Sequence, residues 1–159
     1  MTPRRLIIIS SSFGRKRDPK DPIPAIERFD GVYFRVARKY LREGRLKNTD
    51  IIVVSPEYGL LASEDKIPYS APKFGTSWRY ESSLSDDSVL KLRQSNLIRL
   101  KQLVGRRTYA EVYVNVGKAF MPFILGFEKI TKAPIVWSSG RGLGPKAKHM
   151  KNWILREVN

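Results

Sequence analysis

Four short runs constrain the fold of this chain more than any other feature: "RRLIIISSS", "DIIVVS", "YAEVYVNVG" and "APIVWSS". Each has the length of a strand, and each ends on serine or asparagine where the chain leaves the apolar stretch. In the first two the apolar character is continuous rather than alternating, which marks strands covered on both faces. Between the runs the periodicity becomes helical. After Asp30, which reads as a helix cap, Tyr33, Val36, Ala37, Tyr40 and Leu41 recur at helical spacing up to Gly44. Ser85 caps a second helix with Asp86 and Asp87 in its first turn. Val89, Leu92, Leu97, Leu100, Leu103 and Val104 line one side of it, and Gly105 closes it. Lys118 to Ile130 predicts a third helix, beginning near Met121 because Pro122 is tolerated only in a first turn. A glycine-rich turn then enters a last helix, with Ala147, Met150, Trp153, Ile154 and Val158 on its apolar side.

Strands alternating with helices predict an α/β fold: a three-layer, Rossmann-like domain with a mainly parallel sheet of at least four strands. The 159 residues are enough for one domain, and nothing in the chain reads as a repeat or an interdomain linker, so residues 1–159 form a single unit. Two connections are irregular. "FGRKRDPKDPIPAIERF" reads as a loop, and Pro56 to Ser83 reads as mostly irregular, with room for a short helix or hairpin. Long irregular connections in compact domains tend to be functional.

Composition narrows the partners. Thirty Lys and Arg against 15 Asp and Glu give a net charge of +15, which favours polyanions: DNA or RNA, or a nucleotide. Hydrophobic residues make up 42%, which argues against a disordered basic tail. With no cysteine, disulfides and thiolate chemistry are excluded. No apolar run has transmembrane length, and the basic, briefly apolar start lacks the pattern of a signal peptide, so no membrane association and a cytoplasmic location are expected. No cofactor is specified, and a homo-oligomer is compatible with the chain.

In a parallel sheet, ligands bind beyond the carboxyl ends of the strands. The loops there follow Ser10 to Ser12, Ser55, Asn115 and Ser138 to Ser139, with glycines at 14, 59, 117, 140 and 142. Ser10, Ser12, Ser55 and Asn115 are candidates to orient a ligand, and Gly117, Gly140 and Gly142 to let backbone approach it. Arg15, Lys16, Arg141 and Lys146 are candidates for anion contact. None of these loops has the spacing of a Walker P-loop or a Rossmann glycine fingerprint. Tyr58 and Tyr69 are placed to cover a base; Phe74, Trp78 and Tyr80 follow them. For acid–base work Glu57 and Asp65 stand nearest a strand end. His149 is the single histidine, so a histidine metal cluster is excluded. No acidic pattern stands out as a magnesium site.

The segment "VVSPEYGLLASEDKIPYS" resembles the YGLL…PY segment of a bacterial and archaeal α/β domain family. That family is distantly similar to the YaaA peroxide-stress proteins and to the catalytic region of archaeosine synthase. Other matching positions are the polar turn Ser10 to Ser12 with Lys16, then Pro24, Ala25, Phe29, Tyr33, Phe34, Arg38 and Tyr40, and finally Gly140, Gly142, Gly144 and Trp153. The resemblance implies links to nucleic-acid protection or modified nucleosides. Relatives often have a cysteine in the first turn where this chain has serines, so no thiol reaction carries over. The expected function is a nucleic-acid- or nucleotide-binding domain, with a glycosidic or phosphate bond as the target of any chemistry. The alternatives are a non-enzymatic protein or RNA interaction module and a small nucleotide hydrolase.

Overall fold

A computed structural model describes residues 3–71 and 85–156. Strands β1 (Arg4–Ser10), β3 (Thr49–Ser55) and β6 (Tyr109–Asn115) are seven residues each, and they form the centre of a five-stranded sheet in the order β4-β3-β1-β6-β7. Strand β1 pairs in parallel with β3 on one side and β6 on the other. Strand β7 (Ile135–Trp137) adds in parallel to β6, whereas β4 (Gly59–Ala62) folds back antiparallel on β3. Leu6, Ile7, Ile8 and Ile9 are all buried, as the continuous apolar run of β1 demands of a strand with a neighbour on each side and packing on each face.

Alternate residues of the strands feed two separate apolar clusters. One joins Ile7, Ile9, Ile51, Val53 and Tyr113 to Phe34, Ala37 and Tyr40 of helix α2 (Val32–Arg42) and to Met150, Trp153 and Ile154 of helix α5 (Leu143–Leu155). The other joins Leu6, Ile8, Val54, Val112 and Val114 to Leu100 and Val104 of helix α3 (Asp86–Val104), with Phe120, Phe123 and Phe127 beside them. Arg5 secures the end of α5: its guanidinium donates to the carbonyls of Trp153 and Ile154 at 2.8 and 3.0 Å and lies over the Trp153 ring.

Several expectations need correction. Residues Lys118 to Ile130 do not form one helix: a 3₁₀ turn at Met121–Phe123 and the short helix α4 (Glu128–Thr131) are separated at Gly126, whose φ of 96° no right-handed helix admits. Asp30 is not a side-chain cap. Gly31 takes the cap position, and the Asp30 carboxylate pairs instead with Arg35 and Arg38. The inward face of α2 carries Phe34, while Leu41 is exposed. The stretch after Pro56 does hold the hairpin it had room for, β4 folding back on β3, and then supplies β5 (Lys66–Ile67). Strand β5 pairs with β2 (Ile23–Pro24), which lies inside the supposed loop after β1 and is followed by the single-turn helix α1 (Ala25–Arg28). Arg28 organises that loop. Fully buried, it donates to the carbonyls of Lys16, Pro19 and Asp21 at 2.7–3.0 Å and reaches that of Ile67 at 3.4 Å. Phe74, Trp78, Tyr80 and Val158 lie outside the described residues. Among the described residues, no helix is long and apolar enough to cross a membrane.

Candidate functional site at the carboxyl edge

From β1 the chain passes to β3 on one side of it, and from β6 to β7 on the other. The carboxyl ends of β1 and β6 therefore flank a switch point, where adjacent connections leave in opposite directions and open a crevice. Ile9 is registered opposite Asn115 there.

Strand alternation puts Asn115 on the same face as Tyr113, toward α2 and α5. Asn115 is 7% exposed, and among the described residues its Nδ2 has no hydrogen-bond partner. A buried amide left unpaired costs free energy, and such groups are uncommon in folded proteins. Beside it the amide of Ser138 continues the ladder by donating to the Val114 carbonyl, which brings the Ser138 side chain into the same row. One row below, the Tyr113 hydroxyl lies 2.9 Å from His149 Nδ1 on α5. Burial raises the Tyr113 pKa, with a weaker contribution from nearby Tyr33; the Ser138 hydroxyl acts in the opposite direction. Ser138 Oγ is buried and, among the described residues, has no hydrogen-bond partner. Tyr33, itself raised by burial, comes from the first turn of α2. The packing of α2 and α5 on the sheet thus brings Tyr113, His149 and Tyr33 together below the Asn115 amide.

Helices α2 and α5 both begin at this edge, and neither has a side-chain cap. Free backbone N–H groups in the first turn of a helix favour negative charge. Gly140 sets the entry to α5. Its φ is 129°, and a Cβ there would stand 2.8 Å from Pro145 Cβ, so only glycine lets the turn fold against the helix it precedes. Gly142 opens to solvent, with nothing within 4 Å of where its Cβ would lie. Arg141 is exposed and Lys146 half-buried in the same segment.

The residues expected from sequence fall into groups. Arg15, Ser55, Glu57 and Tyr58 come together at the end of β3. Arg15 and Glu57 form a bidentate ion pair whose side chains are 5% and 4% exposed. Arg15 also reaches Ser70, which bonds the Tyr58 hydroxyl at 2.8 Å. Ser55 Oγ accepts from the amides of Glu57 and Tyr58, fixing the turn. Ser12 donates to the Gly14 carbonyl and accepts from the Gly31 amide, tying the β1 loop to the start of α2. Ser10 is half-buried at the end of β1. Lys16 makes a surface pair with Glu27 at 3.6 Å, and Lys20 stacks over Tyr69. The Gly117 carbonyl accepts from Phe120 and Met121, which makes it a turn residue.

Asp65 is carried away from all of these. Because β4 runs back along β3, its end lies level with Ile52, and Asp65 follows toward the amino edge. There it accepts from the Ala62 amide and from Arg99. The pattern of residues did not point to Tyr113 with His149, nor to Phe13 and Trp137, which stand exposed at the ends of β1 and β7. Alternation along "YAEVYVN" was the available signal for Tyr113.

No family model matches the chain, and no curated protein does. In fold it is similar to the crystal structure of AF0587, a protein of unknown function. The TM-score is 0.52 at 13% identity, over 97% of this chain and 45% of that one. This chain therefore spans less than half the length of that neighbour.

Proposed function

We propose that the carboxyl edge binds a nucleotide or a nucleic-acid strand through its phosphates, in a three-layer, Rossmann-like domain. The topology supports this layering. A right-handed crossover moving one way across the sheet puts its helix on one face, and moving the other way puts it on the opposite face. The β1-to-β3 connection carries α2 and the β3-to-β6 connection carries α3, and the two helices belong to different apolar clusters.

The observation that carries the binding reading is Asn115, a buried amide donor at the switch point without a partner among the described residues. Two uncapped helix starts, Lys146 and Arg141, and a net charge of +15 favour an anion beside it. Phe13 and Trp137 are 61% and 52% exposed and offer rings on which bases stack. A resemblance of the Val53–Ser70 segment to a YGLL…PY domain family, itself only distantly similar to YaaA and archaeosine synthase, would imply the same ligand class. Acid–base chemistry on a glycosidic or phosphate bond falls to the half-buried His149, which the buried Tyr113 hydroxyl holds by a hydrogen bond.

The test is calorimetric titration with nucleoside mono-, di- and triphosphates and short DNA and RNA strands at about 50 mM salt. Asn115→Asp keeps the shape but replaces a donor with a negative acceptor. Binding by the parent and a loss of at least about tenfold in the variant are expected. No binding to any of these ligands, or equal affinity in Asn115→Asp, removes the reading and leaves an interaction module in its place.

A further inference from the structure

At the opposite edge of the sheet, a groove of about 480 Å³ opens between the end of α3, the connection into β6 and the end of α4. Its lining includes Lys101, Arg106, Arg107, Lys129 and Lys132, and no carboxylate. Of these only Arg107 has an acidic partner among the described residues, Asp50 at 3.0 Å. Arg107 also borders an adjoining cavity of about 410 Å³, but there Asp50 and Glu64 line the wall with Arg4 and Lys47, so the uncompensated positive charge belongs to the groove itself.

Helix carbonyl ends account for some of this. Lys101 sits in the last turn of α3 and Lys129 in α4, where cations are favoured. The charge of Lys132, the cap residue of α4, is favoured in the same way, but its backbone conformation is not, and Arg106 lies beyond the cap of α3. Lys132 follows α4 with φ of 50°, the left-handed conformation that glycine or asparagine usually supplies. A lysine held there, among like charges that repel it, points to a ligand that rewards the positive charge. The groove also lacks exposed aromatic rings, since Tyr109 is buried beside it. It therefore has cations for phosphates and no platform for bases, which suits contact with the backbone rather than readout of sequence.

The geometry points to a second ligand site: a track for the phosphodiester backbone of a nucleic-acid strand. It stands on its own residues and does not depend on the carboxyl-edge site. The test uses fluorescence anisotropy of a labelled single strand of about 12 nucleotides across a salt series. One variant combines Lys101→Gln, Arg106→Gln, Lys129→Gln and Lys132→Gly; all four positions are exposed, and glycine suits the left-handed position, so folding is retained. A second variant, Lys101→Arg with Lys129→Arg, keeps the charge.

The first variant is expected to lose at least about tenfold in affinity, with a log–log salt slope shallower by about 2–3, at roughly 0.7 for each phosphate no longer neutralised. The charge-conserving variant is expected to keep the parental slope. An unchanged slope in the fourfold variant overturns the proposal, whatever happens at Asn115. So does competition by inorganic tripolyphosphate at concentrations as low as those of unlabelled strand, which would make the groove a free-polyphosphate site. Binding to polyglutamate but not to the strand would assign it to an acidic protein and overturn it as well.

Discussion

The guanidinium of Arg15 and the carboxylate of Glu57 face each other in a buried bidentate pair that joins the loop after β1 to the turn after β3. Both side chains are shut away from solvent, so each stabilises the charge of the other. Removing one partner leaves an uncompensated buried charge, which typically costs about 3–5 kcal/mol. Glu57→Ala is expected to lower stability by that order in urea denaturation, and the double change Arg15→Met with Glu57→Leu to recover most of it. A Glu57→Ala protein as stable as the parent would show that the pair does not hold the two loops together.

Arg28 is expected to be as sensitive for a different reason. Its fork serves carbonyls from four places in the chain, and lysine has neither the planar geometry nor the number of donors. Arg28→Lys should lower the denaturation midpoint and speed proteolysis between Arg15 and Asp21. Parental proteolysis rates would mean that the β2–β5 pairing alone holds the loop.

Stability should fall at both ends of the pH range through one cluster. The Tyr109 hydroxyl donates to Asp50 at 2.7 Å, and its pKa is pushed up to about 12, first by burial and then by Asp50. A raised native pKa gives stability that is complete below pH 10 and lost as pH rises toward 12. For Asp50, burial pushes upward but is outweighed by the hydrogen bonds from Arg4 and Tyr109 and the charge of Arg107, leaving its pKa below the ordinary value. That contribution is present above the usual carboxylate range and lost as pH falls below about 4. In Tyr109→Phe, denaturation midpoints measured against pH should decline less steeply from 10 to 12. An alkaline limb of the same slope would place the titrating group elsewhere.

Asn115→Leu separates stability from binding. The apolar isostere removes the cost of an unpaired buried donor, so the ligand-free protein should gain about 1 kcal/mol and melt a few degrees higher. Ligand binding at the carboxyl edge should be lost in the same protein. A lower melting temperature would show that the Asn115 amide is already satisfied in the free protein.

The strands and the edge where they converge were legible because continuous apolar runs ending in Ser or Asn leave few alternatives to a covered parallel sheet. Asn115 could be read for that reason. The buried arginines could not. Arg5, Arg28 and Arg38 are each 6% exposed or less, yet arginine in a basic chain reads as surface, and it is backbone carbonyls, with the Asp30 carboxylate at Arg38 and the Trp153 ring at Arg5, that explain the burial. Asp65 could not be placed from its distance to β3 either. The chain reverses at Gly59, and a hairpin carries Asp65 to the far edge. In sequence His149 is one more residue of a basic helix, and only the packing of α5 on the sheet sets Tyr113 beneath it.

The outer strands of the sheet are four and three residues long, against seven for each strand inside. So little ladder is on offer that two folded copies have almost nothing to pair through. That protection arrives late in synthesis. Until Ile135–Trp137 emerges, the whole flank of Tyr109–Asn115 is an open, largely apolar template. A chain stopped short of Pro134 would be a seed for clumping rather than merely a weaker fold.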